Sequence, residues 1–126
     1  MKFDIPKKEH PNLERYYKED IDTAYRFANE IYKELGSLIR AVVIFGSTAR
    51  RTKQPGGDID VLVILQEHTP LREKEIQDMA AKISLRVNKV LSVMIMDEKE
   101  LKKEIDSQFI RSVRENKEVL YGKKSF

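Results

Sequence analysis

Two stretches of the chain decide its fold: AVVIFGS at residues 41–47 and GDIDVLV at residues 57–63. Each contains a run of apolar, mostly β-branched residues, which is typical of a strand buried on both faces of a sheet. The first run ends in Gly-Ser, and the second begins with Asp-Ile-Asp. This pattern predicts an α/β domain with a polar site at one edge of its sheet.

Amphipathic helical patterns flank these strands. Apolar residues recur at three- and four-residue spacing over residues 13–35 and 71–87, and a third apolar run covers residues 90–96. A further helical pattern continues from Asp97 towards Gly122. The order predicts a small, mixed three-stranded sheet flanked by helices. Strands one and two are expected to be antiparallel, whereas strands two and three are expected to be parallel and joined by the 71–87 helix.

Length and composition place the chain among single-domain proteins. Residues 1–12 are polar, contain two prolines and are interpreted as an arm, and residues 13–126 are interpreted as a single domain. The arm lacks the apolar core of a signal peptide, and no apolar run approaches the roughly 20 residues that span a bilayer. These features predict a cytoplasmic protein without a membrane segment.

Cysteine content and charge exclude several classes of function. The chain has no cysteine, which excludes disulfide frameworks, zinc-thiolate sites and thiol nucleophiles. Lys and Arg number 24 and Asp and Glu number 21, so the net charge is +3. A charge this small gives no strong nucleic-acid signal.

The loop after the first strand combines residues that suit an anion. Gly46 lets the chain turn sharply and lets the backbone approach a ligand closely. Ser47 adds a hydroxyl donor, and Arg50 adds a guanidinium suited to phosphate. By itself, a Gly-Ser pair after a strand is more often a simple turn. Arg51 and Lys53 extend the basic character of the loop, which we interpret as a triphosphate contact rather than only a solvated segment.

Two aspartates open the second strand. Because side chains alternate between the faces of a strand, Asp58 and Asp60 are expected to point the same way. Such carboxylates repel each other unless a cation lies between them, and Mg²⁺ is the usual cation beside phosphates. The alternative is a polar strand end with two solvated acids. Because the loop and the acids share one edge of the sheet, together they predict chemistry on a nucleoside triphosphate such as ATP.

The combined motif resembles that of a known family. Residues 46–50 followed by residues 57–63 are similar to the Gly-Ser-x-x-Arg-Gly, spacer, Ser-Asp-x-Asp pattern of the minimal nucleotidyltransferases, a family of the DNA polymerase beta superfamily. Residues 114–121 also resemble the usual ending of that family. The chain departs from the pattern in the loop, where Arg51 replaces a glycine and Gly57 replaces a serine.

The resemblance implies a fold and a role for each motif residue. The fold would be that of the nucleotidyltransferases, which is DNA polymerase beta-like. Asp58 and Asp60 would be the catalytic carboxylates and would hold Mg²⁺. Gly46 and Ser47 would bind the β- and γ-phosphates of the nucleotide, with Arg50 assisting.

The third strand departs from the family pattern in a way that bears on catalysis. Catalytic members carry a third carboxylate there, and Ser92 stands at the aligned position. A serine ligates metal weakly and is a poor base, so the site lacks one acid for two-metal catalysis. Asp97 lies too far along the strand to replace it and is interpreted, with Glu100, as the capping box of a helix.

Two functional hypotheses stay open. In the first, the protein is a nucleotidyltransferase that binds Mg²⁺-NTP and transfers a nucleoside monophosphate to an acceptor hydroxyl. The resemblance implies that a partner protein can be the acceptor, since minimal nucleotidyltransferases are commonly antitoxins paired with HEPN-type toxins. A partner chain or a homodimer is expected to complete the pocket. In the second hypothesis, favoured by Ser92, the domain is a weak or inactive nucleotidyltransferase-fold antitoxin or binding module that acts by protein contact.

Two histidines and two methionines are interpreted as structural. His10 and His68 lie in the arm and in a turn, without a visible partner, and are expected to face solvent. Met94 and Met96 share the face of Ser92 and are expected to fill the core.

Overall fold

The periodic segments of the sequence form helices, and its three apolar runs form strands. The computed structural model describes residues 5–52 and 56–122, with side chains from residue 14 onward. In chain order the elements are α1 (Ile5–Leu35), a 3-10 turn (Gly36–Leu38), β1 (Ile39–Phe45), α2 (Gly46–Ala49), β2 (Ile59–Leu65), α3 (Pro70–Val87), β3 (Leu91–Asp97), α4 (Glu98–Lys103), α5 (Gln108–Asn116) and β4 (Glu118–Gly122).

The strands form one mixed sheet in the order β3-β2-β1-β4. β1 and β2 are antiparallel, and β2 and β3 are parallel with α3 as the crossover, so both predicted pairings are confirmed. β4 is antiparallel to β1 and makes the sheet four-stranded. The prediction of three strands was therefore one strand short, while the mixed α/β fold is confirmed.

The additional strand begins where the last helix ends. α5 stops at Asn116, and Lys117 has extended backbone angles (φ −73°, ψ 153°). Val119, Leu120 and Tyr121 follow, and β-branched and aromatic residues favour a strand over a helix. A segment this short carries too little periodicity to distinguish the two, so the sequence pattern merged β4 with the preceding helix.

The first helix is longer than its apolar pattern predicts. α1 begins at Ile5 rather than near residue 13, so most of the predicted arm is helical, and residues 1–4 lie outside the described part. Pro6 falls in the first turn, where a missing N–H breaks no intrahelical hydrogen bond. The helix ends where predicted, since Gly36 has the left-handed backbone (φ +52°) that commonly terminates helices. None of the described helices is long and apolar enough to cross a membrane.

Apolar clusters on the two faces of the sheet hold three layers together. On one face α1 and α3 cover the strands, and Phe27, Ile31 and Ile76 are fully buried there. On the other face α4 and α5 cover them, with Leu101 and Ile110 in the core. β1 and β2 supply alternate residues to both clusters, which explains why these central strands are apolar almost throughout.

The turn after β2 holds a histidine between two carboxylates. His68 Nε2 lies 2.6 Å from Oε1 of Glu73, and its Nδ1 lies 2.7 Å from Oε1 of Glu100. Its backbone N–H donates to Asp97, which forms the predicted capping box of α4 with Glu100. The expectation of a solvent-facing His68 without a partner was therefore wrong, because its partners come from two later helices. The side chain of His10 lies outside the described part.

Candidate functional site

The antiparallel pairing of β1 and β2 brings the two halves of the motif together. Phe45, the last residue of β1, is the register partner of Asp60, the second residue of β2. α2 begins at Gly46 directly after β1, and Asp58 immediately precedes β2. The glycine turn and the acid pair, Asp58 with Asp60, therefore meet at one edge of the sheet, as the sequence predicts.

Two separate constraints require a glycine at position 46. Its φ of +67° lies in the left-handed region, which residues with a Cβ atom rarely adopt. A Cβ atom on Gly46 would also overlap with the carboxylate oxygen Oδ2 of Asp60. The backbone of the turn thus lies directly against this carboxylate, with no side chain between them.

Among residues 14–52 and 56–122, the neighbouring charges do not balance those of the acid pair. Burial raises the pKa of Asp60, and the neighbouring charge of Asp58 raises it further, whereas the charge of Arg50 lowers it. Because the net shift of this pKa is upward, Arg50 does not compensate for the other two effects. Asp58 is exposed and Asp60 is half-buried. Two mutually repelling carboxylates at an open sheet edge fit the oxygen ligands that Mg²⁺ requires.

The two arginines of the loop take different directions. Arg50 lies close enough to Asp60 to lower its pKa. Arg51 instead lies against α1, with its Cζ 4.2 Å from the centroid of the Tyr17 ring. The triphosphate contact interpreted from the sequence for Arg51 stays a prediction, and Lys53 lies outside the described residues. Arg51 has a φ of +60°, which accounts for the glycine of the family pattern at this position.

The helical turn α2 orders the residues that follow the glycine. The backbone N–H of Arg50 donates to the carbonyl of Gly46 (3.1 Å), and that of Thr52 donates to the carbonyl of Ser47 (2.9 Å). Ser47 is partly exposed, whereas Thr48 is only 1% exposed. Across residues 14–52 and 56–122, the Thr48 hydroxyl has no hydrogen-bond partner. The burial of Thr48 could not be predicted, because a threonine inside a polar loop gives no indication of burial.

The parallel register of β2 and β3 identifies the neighbour of the acid pair. Ser92 is the register partner of Asp60, so the two side chains lie on the same face of adjacent strands. A carboxylate at position 92 would stand beside the acid pair, whereas Asp97 pairs with Leu65 at the far end of the sheet. Among the described residues, no group of three or more potential metal ligands lies together. The site therefore has two of the three acids that the family pattern predicts.

A cavity of about 510 Å³ opens beside Asp60 on this face of the sheet. Phe45 and Phe109 line it, and their rings pack edge to face with centroids 5.4 Å apart. Met94 also lines the cavity and is 44% exposed, so the expectation that it fills the core was wrong. β3 is an edge strand, and the helical layer buries Met96, as expected, but leaves Met94 open. Phe109 could not be identified from the sequence, because only the tertiary packing of α5 brings it next to Phe45.

Glu73 reaches the same cavity from α3. Its Oε1 bonds to His68, and its Oε2 accepts a hydrogen bond from Nε2 of Gln77 at 2.9 Å. Both carboxylate oxygens are thus engaged by neighbours. Glu73 does not join Asp58 and Asp60 as a third ligand in this arrangement, although it adds negative charge to the cavity wall.

The glycine turn and the acid pair lie at one end of a mixed sheet, in a stretch of the chain that matches a known domain family. Residues 26–120 match the nucleotidyltransferase domain family, and the chain belongs to this family. The resemblance seen in the motif is therefore confirmed at the level of the family and of its fold.

Individual relatives and structures agree with this assignment. The chain is 32% identical over 96 residues to "Putative protein adenylyltransferase MJ0141" from Methanocaldococcus jannaschii, covering 75% of this chain and 92% of that protein. A structure described as "a putative nucleotidyltransferase from Sulfolobus solfataricus" superposes with a TM-score of 0.60 at 18% identity, covering 90% of this chain and 89% of that one. A toxin-antitoxin structure with AMP-PNP gives a TM-score of 0.54 at 14% identity, covering 79% and 74%. At these identities the two structures show a shared fold.

Proposed function

We propose that the protein binds a nucleoside triphosphate with Mg²⁺ and transfers its nucleoside monophosphate to an acceptor hydroxyl. The acid pair carries this proposal. Asp58 and Asp60 raise the local negative charge directly against the glycine turn, and Arg50 does not offset it. A divalent cation with its bound phosphates supplies the missing positive charge and the missing oxygen ligands.

Each motif residue has a proposed role that follows from its position. Asp58 and Asp60 hold Mg²⁺, which when bound neutralises the charge of the phosphates and of the leaving pyrophosphate. Gly46 leaves the backbone open to the terminal phosphates, and Ser47 adds a hydroxyl donor. Arg50 contributes a further positive charge at the same edge of the sheet.

The proposed transfer conserves atoms and charge. The acceptor oxygen forms a bond to the α-phosphorus, and the bond from this phosphorus to the bridging oxygen of pyrophosphate breaks. The proton of the acceptor leaves to water or to a base on the acceptor's own chain, because Ser92 is a poor base. The products are the nucleotidylated acceptor and pyrophosphate.

The acceptor that we propose is a partner protein. The relative from M. jannaschii carries the name "Putative protein adenylyltransferase MJ0141", and a structure of the same fold is described as a toxin-antitoxin with AMP-PNP. The cavity beside Asp60 is open and has an aromatic wall of Phe45 and Phe109, which suits an inserted side chain. A HEPN-type toxin is the first candidate and a second copy of this chain the next. We propose that this reaction takes place in the cytoplasm, where nucleoside triphosphates are available.

Calorimetric titration with ATP tests the site directly. In the presence of Mg²⁺ we expect saturable heat for the wild type and at least about tenfold weaker binding for Asp58→Asn and Asp60→Asn. The matched control is Asp78→Asn, an exposed acid on α3 that is paired with Lys74. If all four proteins give the same titration, the acid pair is not a metal and nucleotide site.

A second candidate function follows from Ser92. Without a third carboxylate beside Asp60, the domain can keep nucleotide affinity and act as an antitoxin by contact alone. Mass spectrometry of both chains after incubation with a HEPN-type partner, Mg²⁺ and ATP separates the two functions. Nucleotide mass on the partner that disappears with Asp60→Asn supports transfer. A tight complex in which neither chain gains mass supports the contact function and contradicts transfer.

A further inference from the structure

We propose that Arg51, Tyr17 and Glu118 form a latch that positions the phosphate loop, and that Arg51 is a positioning residue for nucleotide binding. The latch is this set of three side chains. The inference rests on the proposed function, because it assigns the loop a nucleotide as its ligand. It concerns Arg51, which stands at a position where the family pattern has glycine.

The latch joins three elements that are distant in sequence. The guanidinium of Arg51, in the loop, lies over the ring of Tyr17 on α1, with Cζ 4.2 Å from the ring centroid. The hydroxyl of Tyr17 donates to Glu118, the first residue of β4, at 3.2 Å from Oε2 and 3.3 Å from Oε1. A cation above the ring and an anion at its hydroxyl reinforce each other, because the anion enriches the ring in electrons.

The backbone of Arg51 supports a functional explanation for its side chain. Its φ of +60° is left-handed, a conformation that is unfavourable for a residue with a Cβ atom relative to glycine. Glycine would adopt this conformation freely. A favourable contact of the arginine side chain can compensate for this strain, and its guanidinium lies over the Tyr17 ring. Hydrogen bonding to Tyr17 raises the pKa of Arg51, in agreement with a retained cation.

The latch acts on the site through the backbone of the loop. The N–H of Arg51 donates to the carbonyl of Thr48 at 3.1 Å, and the next N–H, of Thr52, donates to the carbonyl of Ser47 at 2.9 Å. Holding Arg51 on α1 therefore fixes the turn that carries Ser47 and, one residue before the latch, Arg50. The latch touches neither Asp58 nor Asp60, so it positions the phosphate-binding side of the site without altering the acids.

The decisive variant is Tyr17→Leu, which breaks the latch but keeps every charge of the loop. We expect its dissociation constant for Mg²⁺-ATP to rise about three- to tenfold, which corresponds to about 0.7–1.4 kcal/mol and lies within the range of a cation–π contact. The matched control is Tyr16→Leu on the same helix, whose ring has Arg15 at 5.7 Å and Lys89 at 5.9 Å but not Arg51. This control is expected to bind within about twofold of the wild type.

Two changes at Arg51 complete the test. Arg51→Gly removes the latch and the backbone strain together, so weaker nucleotide binding without a lower melting temperature supports positioning. Combined with Tyr17→Leu it should add less than the sum of the two single effects. Arg51→Lys keeps a cation for the ring and should restore most of the affinity.

Amide hydrogen exchange at residues 50–52 gives a readout that needs no nucleotide. Faster exchange of these amides in Tyr17→Leu than in Tyr16→Leu supports the latch. Equal exchange and equal ATP affinity of the two leucine variants would overturn it. If the wild type itself binds no Mg²⁺-ATP, the proposed function fails and the positioning role fails with it. The exchange data still show in that case whether the latch holds the loop, so the two failures can be distinguished.

Discussion

The two ends of strand β2 carry similar acidic groups under opposite electrostatic conditions. At its start, burial and the charge of Asp58 raise the pKa of Asp60. Past its end, burial alone would raise the pKa of Glu73, but hydrogen bonds from Gln77 and His68 lower it. The described neighbours of Glu73 therefore favour its charged form, whereas those of Asp60 disfavour its charged form.

This contrast distinguishes a candidate binding site from a structural cluster. In the His68 cluster, formed by His68, Glu73 and Glu100, the imidazole bridges two helices that flank the sheet. Its carboxylates have their counter-charge and need no ligand. Asp60 lies beside the like charge of Asp58 in the folded protein, and perturbed acids of this kind are concentrated at functional sites. The unbalanced charge, rather than the number of acids, indicates the site.

The largest effect should come from forcing a side chain between the turn and the acid pair. Gly46→Ala places a methyl group where it overlaps with Asp60 and requires a left-handed φ, so we expect a loss of about 3 kcal/mol of unfolding free energy. Chemical denaturation measures it. Nucleotide binding should fall with it, because the turn can no longer lie against the carboxylate.

Gly36→Ala is the matched control for this substitution. Gly36 has a similar left-handed φ of +52°, but a Cβ atom there would meet nothing within 4 Å. It should therefore show only the backbone cost, about 1 kcal/mol. Equal losses for the two alanine variants would mean that the turn does not press on Asp60.

A smaller effect should follow from adding an acid to the unbalanced end. Ser92→Asp places a carboxylate in register with Asp60, and we expect affinity for Mn²⁺, used as a spectroscopic substitute for Mg²⁺, to rise about tenfold because charge and ligand number increase together. Electron paramagnetic resonance titration measures the free ion. Ser112→Asp, on the exposed surface of α5, is the control and should leave this affinity unchanged. No gain in Ser92→Asp would show that position 92 does not face the bound ion.

The two ends of β2 also differ in how far the sequence could predict them. Asp58 and Asp60 are two residues apart, and the glycine turn precedes their strand, so strand alternation and hairpin-like pairing were enough to bring them together. His68 finds its partners 5 and 32 residues away, which only the packing of α3 and α4 determines. Local periodicity gives the elements and the main strand pairings. It does not give contacts such as Arg51 with Tyr17, which depend on the tertiary arrangement of side chains.

Neutralising one acid of the pair should stabilise the protein slightly when no metal is bound. The pKa of Asp60 is raised in the folded state, so wild-type stability falls as pH rises from about 4 through that pKa. Asp60→Asn does not lose stability in this way, because an asparagine side chain does not ionise. At pH 7 without divalent ions we expect it to be more stable by less than about 1 kcal/mol, after allowance for solvent screening.

Mg²⁺ and ATP should reverse this order, because only the wild type gains binding energy from them. Melting curves with and without the ligand pair, at pH 5 and pH 7, measure both effects. A lower stability of Asp60→Asn in every condition would indicate that the carboxylate is already satisfied by the protein, and the contrast between the two ends of β2 would be lost.

The smallest effect concerns the far end of β2. Burial alone would lower the pKa of His68, but hydrogen bonds and charges from Glu73 and Glu100 outweigh it and raise this pKa. A histidine with a raised folded pKa contributes its full stability below about pH 6.5 and loses it as pH rises through the folded value. We therefore expect the melting temperature of the wild type to fall by about 2 °C more than that of His68→Gln between pH 6 and pH 8.5, which corresponds to about 0.5 kcal/mol.

The charged groups around His68 make this pH window specific. The pKa of Glu73 is lowered. The pKa of Asp97 is also lowered, mainly by the backbone N–H of Glu100 and also by that of His68. Both carboxyl groups therefore titrate at acidic pH. His10 is present in both proteins and cancels in the difference. Parallel melting curves for the two proteins across this range would mean that the imidazole bridges its helices without charge. The far end of β2 would then be balanced by hydrogen bonds alone, and the acid pair would differ from it in geometry rather than in the counter-charge that the protein supplies.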